Sequence, residues 1–173
     1  GNVIVKGNSE NYHGVINIGG VTGLNPYGTD GYKNDGNIYV SGNHGSLYIG
    51  GLQGYVHVFK GNNDQANGVN RGNIFVGYDE NENAVATTLV KSPKIGGLVG
   101  WTLNHLTDAT NYGNIKINVI STSTDAEIYV SGGVAYAQKV GSAALGNDFL
   151  NLTHHGNITI EGTTGTKAWN IGG

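Results

Sequence analysis

Apolar residues alternate with polar or aromatic ones in short runs that each follow a Gly-Asn pair. In Gly36-Asn37-Ile38-Tyr39-Val40-Ser41, for example, Ile38 and Val40 fall on one side of an extended chain and Tyr39 on the other. Equivalent inward-facing pairs recur as Val3 and Val5, Ile74 and Val76, Ile115 and Ile117, and Ile158 and Ile160. This two-residue period predicts β-strands rather than helices.

The Gly-Asn openings recur at similar distances and divide the chain into repeats. The repeats start at residues 1, 36, 72, 113 and 156, so the spacings are 35, 36, 41 and 43 residues. Periods of this length are typical of solenoids, propellers and repeat arrays. We attribute the two longer spacings to insertions in loops, for example at 79–83 and 121–125.

A second marker keeps the same phase and consists of an Ile-Gly-Gly step followed by an apolar residue. It occurs at Gly19-Gly20, Gly50-Gly51 and Gly96-Gly97, and in a degraded fourth copy at Gly132-Gly133. The apolar residues that follow are Val21, Leu52, Leu98 and Val134. A Gly-Gly step can bend the chain round a corner, so that the residues on both sides of it face inward. Such corners are typical of a β-helix.

These markers together predict an all-β fold, a β-helix (β-solenoid) with one coil for each repeat and about four to five coils. We expect residues 1–173 to form a single domain, because the composition does not shift along the chain. The fifth repeat stops at Ile171-Gly172-Gly173, which predicts a segment of a longer chain. A propeller is the main alternative, but its four strands per blade would need more strand-like runs.

Composition excludes several classes of partner. Charged residues make up 12% of the chain and the formal net charge is −3, so the basic surface that nucleic acid requires is missing. No apolar run approaches the roughly 18 residues of a membrane span. Cysteine is absent, which removes disulfides and thiolate metal sites and fits an exported bacterial protein. We therefore expect neither nucleic acid as a partner nor a membrane span.

Two motifs carry a family resemblance that covers nearly the whole chain. A Gly-Gly-Leu-x-Gly run ends in an aromatic residue at Tyr55 and at Trp101, and Asn-x-Gly-Asn-Ile occurs at 111–115. The chain resembles the GLUG-type repeats of secreted bacterial surface proteins. That resemblance implies β-helical stalks on adhesin-like proteins, an extracellular or cell-surface location, and enzymatic activity only in separate domains. It carries over no catalytic or binding residue, because its motif residues form the scaffold.

Titratable residues show no catalytic or metal-binding pattern. The histidines fall at different phases of the repeat, and Asp79, Glu80 and Glu82 cluster without the calcium-binding nonapeptide. The adjacent His154 and His155 are expected to point to opposite sides of a solvated loop. The aspartates are scattered through turns without a recurring pair. We therefore predict no enzymatic activity, no catalytic residue, no cofactor and no metal site.

The outward positions of the first strand supply a candidate contact surface. Ile4, Tyr39 and Phe75 would stack there in successive coils, before Lys116 and Thr159 continue the row. Aromatic faces in such a row can pack on sugar rings or on another protein. Further candidates on the neighbouring segment are Tyr55, Phe59 and Trp101. The alternative is that an insertion loop covers the row.

Asparagine is enriched at the openings, where Asn2, Asn37, Asn73, Asn114 and Asn157 occupy equivalent positions. Stacked asparagines can form a hydrogen-bonded ladder or close a turn, so we interpret these residues as structural. The stretch Lys33-Asn34-Asp35-Gly36 just before an opening is predicted to be a turn.

The resulting functional hypothesis is a non-catalytic stalk or adhesion module of a secreted or cell-surface bacterial protein. Its expected partners are a protein or a glycan at a cell surface. One alternative is a subunit that assembles end to end with copies of itself into an extracellular filament. A second alternative is a carbohydrate-binding module or a glycan-active β-helix.

Overall fold

A computed structural model of the chain describes residues 1–8, 14–25, 30–57, 65–119, 124–138, 149–162 and 168–173. These residues form an all-β structure in which no helix occurs, as the alternating pattern predicts. The first repeat contributes the strands β1 (Val3–Asn8), β2 (Val15–Gly19), β3 (Thr22–Asn25) and β4 (Lys33–Asn34). The second contributes β5 (Ile38–His44), β6 (Ser46–Gly50), β7 (Gln53–Val56), β8 (Gln65–Ala66) and β9 (Val69–Asn70).

The later repeats follow the same order of strands. The third repeat contains β10 (Ile74–Val76), β11 (Thr87–Leu89), β12 (Lys94–Gly96), β13 (Val99–Thr102), β14 (Leu106–Thr107) and β15 (Thr110–Asn111). The fourth contains β16 (Ile115–Asn118), β17 (Glu127–Ser131), β18 (Val134–Ala137), β19 (Phe149–Leu150) and β20 (Thr153–His154). The fifth contains β21 (Ile158–Glu161) and β22 (Ala168–Gly172).

The strands form five sheets, and each sheet takes its strands from successive repeats in chain order. Sheet A consists of β1, β5, β10, β16 and β21, with β11 added beside β5, and sheet B consists of β2, β6, β12, β17 and β22. Sheet C contains β3, β7, β13 and β18, sheet D contains β8, β14 and β19, and sheet E contains β4, β9, β15 and β20. The pairing within every sheet is parallel, which is compatible with the predicted β-helix.

Equivalent residues of neighbouring repeats pair directly with one another. In sheet A, Ile38 pairs with Ile74 and Ile74 with Ile115, and all three side chains are buried. In sheet B, Ile49 pairs with Ile95. The side chains of these two sheets form one hydrophobic core, which also includes Leu47, Val40, Val76, Ile117, Ile128 and Val130. The inward-facing pairs predicted from alternation are confirmed.

Beyond the Gly-Gly step, a second core lies under sheets C and D. Leu52 and Leu98 are buried in it, as predicted, while Val21 in the first repeat is 39% exposed. The predicted equivalence of Val134 with Leu98 is wrong by one position. The register of the sheets pairs Val134 with Val99, so that Gly133 is the residue equivalent to Leu98. In the fourth repeat Gly132 is therefore the second glycine of the step, and Ser131 occupies the place of the first.

An excursion in the third repeat leaves sheet A and returns to it. We call residues 77–86 the strap, since the chain runs through them from β10 to β11. Both β10 and β11 pair with β5, at consecutive parts of that strand. An antiparallel bridge joins Tyr78 to Ala84 across the strap. The predicted insertion at 79–83 coincides with the tip of this excursion.

Candidate functional site

The row predicted on the outer side of sheet A exists, but its aromatic rings are not exposed. Ile4 pairs with Tyr39, Tyr39 with Phe75, and Phe75 with Lys116. The rings of Tyr39 and Phe75 are stacked, with centroids 4.9 Å apart and planes at 4°. These two residues are only 4% and 5% exposed, whereas Ile4 is 47% exposed. The prediction of an exposed aromatic row is therefore wrong for Tyr39 and Phe75.

The strap explains why these rings are buried. Tyr78 packs its ring edge on Phe75 at 6.2 Å and, with Tyr39, completes a small buried cluster. The Tyr78 hydroxyl donates a 2.8 Å hydrogen bond to Glu161, and Lys116 Nζ lies 4.6 Å from the Tyr78 ring centroid. Burial is the larger cause and the bond to Glu161 the next, and together they raise the pKa of Tyr78 to about 12. The alternative reading, in which an insertion covers the row, fits these contacts.

A second group of aromatic residues lies where sheets B and C meet. It includes two of the predicted contact residues, Tyr55 and Trp101, which pair in sheet C with ring centroids 5.1 Å apart. Tyr48 meets Trp101 edge to face at 4.7 Å, and Tyr136 does so at 5.7 Å. The remaining predicted contact residue, Phe59, lies outside the described residues.

Lys94 occupies the centre of this group. Its Nζ lies 5.1 Å from the ring centroid of Tyr48, 5.6 Å from Trp101, 5.5 Å from Tyr129 and 5.3 Å from Tyr136. The aromatic–lysine cluster denotes these five residues below. Ammonium groups are attracted to the faces of aromatic rings within about 6 Å, so each ring contributes to holding the charge in place.

Hydrogen bonds and a carboxylate fix the polar part of the aromatic–lysine cluster. Lys94 Nζ donates to the backbone oxygen of Ser92 at 3.0 Å, and the Tyr129 hydroxyl donates to Glu127 at 2.5 Å. Burial lowers the pKa of Lys94, and the nearby Glu127 carboxylate opposes that shift. The bond to Glu127 raises the pKa of Tyr129 to about 12. The site thus combines ring faces, an ammonium group and a carboxylate, a set that suits recognition of a ligand with both apolar and polar sides.

A row of three buried amides and one partly buried imidazole crosses sheet E, and we call it the inner ladder: Asn34, Asn70, Asn111 and His154. Asn34 Nδ2 donates to Asn70 Oδ1 at 2.9 Å, and Asn70 Nδ2 donates to Asn111 Oδ1 at 2.8 Å. Each asparagine also bonds to the backbone nitrogen and oxygen of the glycine two residues later, for example Asn70 to Gly72. Asn34, which the sequence assigns to a turn, is therefore the last residue of strand β4, and its side chain is buried.

The second glycine of each Gly-Gly step lies against the inner ladder. A Cβ atom on Gly20, Gly51 or Gly97 would collide with the side-chain amide of the asparagine beside it, and one on Gly132 would collide with the His154 ring. The first glycines, Gly19, Gly50 and Gly96, instead face the carbonyl oxygen of the residue three positions later. In the first three repeats both glycines of the step are thus required by close approach. In the fourth, Ser131 takes the first place, and a Cβ on Gly133 would meet only Leu152, at 3.8 Å.

The opening asparagines form a second, outer row. The backbone nitrogen of Asn37 donates to Asn2 Oδ1, that of Asn73 to Asn37 Oδ1, and that of Asn114 to Asn73 Oδ1, at 2.8–2.9 Å. Asn157 continues the row with a 2.8 Å bond to Asn114. The hydrogen-bonded ladder expected of these residues is present, as a chain of side-chain to backbone bonds.

Histidine 154 ends the inner ladder. Thr153 and His154 form β20, so the predicted solvated loop is wrong at this residue, because the pairing of sheet E extends into it. Its Nδ1 lies 3.0 Å from Asn111 Nδ2 and accepts that bond, and burial lowers the pKa of the ring. His155 points to the other side, as predicted, and stacks on Tyr112 at 4.9 Å. Among the described residues, no three His, Asp or Glu side chains lie close enough to hold a metal ion.

Two of these features were missed by reasoning from the sequence. The inner ladder has a signal that could have been read, since Asn-x-Gly-Asn occurs at 34–37, 70–73 and 111–114 and His-His-Gly-Asn occupies 154–157. Lys94 has no comparable signal, because its ring partners come from four separate strands.

Comparison with known proteins gives no relative for this architecture. Protein-family models, curated proteins and solved structures were all searched, and none of them matches the chain. Within the described residues, no helix is long and apolar enough to cross a membrane.

Proposed function

We propose that the chain is a β-solenoid segment of a secreted or cell-surface bacterial protein, where it acts as a non-catalytic stalk or adhesion module. One observation carries the proposal: the same position of every repeat pairs in parallel with its equivalent in the next. Val3, Ile38, Ile74, Ile115 and Ile158 form one such series across sheet A. A chain that stacks coil upon coil produces this register in every sheet.

The two rows of asparagine support the same architecture. Each asparagine of the inner ladder bonds to the next rung and to the opening glycine two residues later, so the ladder links neighbouring repeats at the point where each new repeat begins. Rigid, elongated stacking suits a stalk, because each repeat contacts only its neighbours and length grows with repeat number. A glycine- and asparagine-rich scaffold with an aromatic surface cluster also fits an adhesion module.

The architecture can be tested with spin labels, because the chain contains no cysteine of its own. Ile4 and Thr159 lie at the two ends of one row in sheet A, four strand steps apart. With about 4.8 Å per step, a solenoid places their backbones about 19 Å apart. Labels on an Ile4→Cys, Thr159→Cys variant should give one narrow distance distribution in the 20–30 Å range, once linkers are added. Single-cysteine variants are the controls, and a broad distribution beyond about 40 Å would contradict the solenoid.

The adhesive role can be tested with beads that carry the chain. We expect such beads to resist flow over bacterial or host cells better than albumin-coated beads. Tyr136→Ala removes one ring of the aromatic–lysine cluster, and Tyr112→Ala removes an exposed ring elsewhere as the matched control. Adhesion should fall for the first variant and persist for the second, with thermal unfolding measured for both. Equal retention of chain-coated and albumin-coated beads would refute an adhesive role.

A second candidate function is a subunit of an extracellular filament. Its support is the apolar surface on the outermost strands, where Val15 and Leu24 on one side and Leu150 and Ile171 on the other are at least half exposed. Strand edges of this kind can pair with another chain. Negative-stain electron microscopy and light scattering across a concentration series test this role. Rods of constant length at all concentrations would exclude self-assembly.

A further inference from the structure

A pocket adjoins the aromatic–lysine cluster at the start of sheet B. Its volume is about 390 Å³, within the usual range of small-molecule sites. The polar residues that line it are Ser46, Lys91, Ser92, Lys94 and Asp125. Lys94 lines the pocket and also belongs to the aromatic–lysine cluster, so the two features adjoin at this residue.

Two hydrogen bonds hold Ser92 and Lys94 in place at one side of the pocket. Ser92 accepts from Lys94 Nζ through its backbone oxygen and from the Glu127 backbone nitrogen through its hydroxyl oxygen. The four rings that surround Lys94 restrict the ammonium group further. Donors that are fixed before binding cost less entropy when a ligand arrives.

The charges in and around the pocket balance. Lys91 and Lys94 contribute two ammonium groups, while Asp125 in the lining and Glu127 next to Lys94 contribute two carboxylates. Glu127 lies outside the lining, but with it counted the four charges give no net attraction to an anion or a cation, and Asp125 presents a strong acceptor beside the two lysine donors. Neighbouring hydroxyl groups, each of which donates and accepts, match such a lining.

We propose that this pocket and the adjoining rings bind a neutral saccharide. Its hydroxyl groups would bond to Lys91, Asp125 and the serine hydroxyls. The C–H face of a sugar ring would pack on Tyr129, which pairs with Lys94 in sheet B and is only partly buried, whereas Tyr48 on the other side of Lys94 is buried. The proposal rests on the adhesive role proposed above and names the chemistry of the surface that is recognised.

Calorimetric titration with three hexasaccharides tests this assignment: cellohexaose, mannohexaose and hexagalacturonate. We expect a neutral hexasaccharide to bind and the acidic one to bind at least tenfold more weakly. Asp125→Asn should weaken neutral binding at least tenfold, because the strong acceptor is lost. Asp35→Asn makes the same change on an exposed aspartate paired with Arg71 and should leave binding unchanged.

The possible results separate this inference from the adhesive role. Preferential binding of hexagalacturonate, or equal affinity of the Asp125 and Asp35 variants for the neutral sugar, would overturn the neutral-saccharide site. Absence of binding to all three sugars would also overturn it, and chain-coated beads that still adhere to cells would then leave the adhesive role standing. Beads that fail to adhere as well would remove the adhesive role too, and only the stalk role would remain.

Discussion

The inner ladder and the outer row use asparagine at the same period but in different surroundings. Asn70 of the inner ladder is completely buried, and its amide makes bonds to Asn34, Asn111, Gly72 and Gly97. Asn73, three residues later, is only half-buried and uses its side-chain oxygen to accept one bond from the Asn114 backbone. Asn70 therefore joins neighbouring repeats through the interior, while Asn73 joins them at the surface, where water can compete for the same hydrogen bonds.

From this difference we expect the contribution of an asparagine hydrogen bond to the free energy of unfolding to depend on burial as well as on residue type. A bond between exposed groups replaces bonds to water and contributes little, whereas a buried group that loses its partner costs about 1–3 kcal/mol. We therefore expect the inner ladder to dominate the stability of the stack. The outer row should contribute more to local order at the start of each sheet A strand.

The largest effect is expected from Asn70→Ala. The substitution leaves buried polar groups of Asn34, Asn111 and Gly97 without the partner that they have in the wild type. The free energy of unfolding should fall by about 3–5 kcal/mol, and chemical denaturation with urea would measure it. A loss below about 1 kcal/mol would show that water or a neighbouring amide replaces the missing rung.

The second effect concerns the glycine that faces the inner ladder. Gly132→Ala places a methyl group against the His154 ring and should cost about 1–3 kcal/mol of unfolding free energy. Gly133→Ala is the matched control at the next residue, where the added methyl would meet only Leu152, at 3.8 Å. Urea midpoints of the two variants provide the comparison. Equal destabilisation would mean that the corner, rather than contact with the ladder, requires glycine here.

A smaller effect is expected in the outer row. Asn73→Ala removes the acceptor of the Asn114 backbone nitrogen, which water can then satisfy. The loss should be about 0.5–1 kcal/mol, well below that of Asn70→Ala in the same denaturation experiment. Similar losses for the two asparagines would break the distinction between inner ladder and outer row.

The smallest effect is confined to acid solution and concerns His154. Because burial lowers the pKa of His154 in the folded chain, the unfolded chain takes up a proton first as the pH falls below about 6.5. Its contribution to stability is therefore present above that pH and is lost progressively between about 6.5 and the lower folded pKa.

The variant His154→Asn places an amide at this rung, like those of the other three, and removes the titrating group. Urea midpoints at several pH values from 7.5 down to 4.5 should decline less for the variant than for the wild type. Buried His44, whose pKa is also lowered by burial, remains in both proteins and provides a common background. Parallel pH profiles would show that His154 is not a source of acid sensitivity.

The sequence was sufficient for the features that depend on alternation and period. The inward pairs such as Ile38 and Val40, and the equivalence of Ile38 with Ile74, follow from a two-residue alternation that repeats in register. The Gly-Gly steps could also be located in the first three repeats, because few other residues tolerate such close approach of the backbone, whereas the step of the fourth repeat was placed one residue too late.

Features that depend on the path of loops and on contacts between sheets could not be obtained in this way. Tyr39 and Phe75 read as exposed because alternation reports the side of a strand but not what covers that side, which here is Tyr78 of the strap. Asn34 reads as a turn residue because its burial is created by stacking with Asn70. The surroundings of Lys94 require sheet C to lie against sheet B, and no local pattern encodes that arrangement.

The strap has a consequence for protein engineering. Its ends, at β10 and β11, pair with one continuous strand, so the polypeptide leaves and rejoins the sheet without shifting the register of neighbouring repeats. Exposed loop tips are the sites where added sequence is best tolerated. The tip of the strap around Asn81 is therefore a place at which a foreign peptide could be displayed laterally on the scaffold. Grafting there would leave both asparagine rows and the aromatic–lysine cluster unaltered.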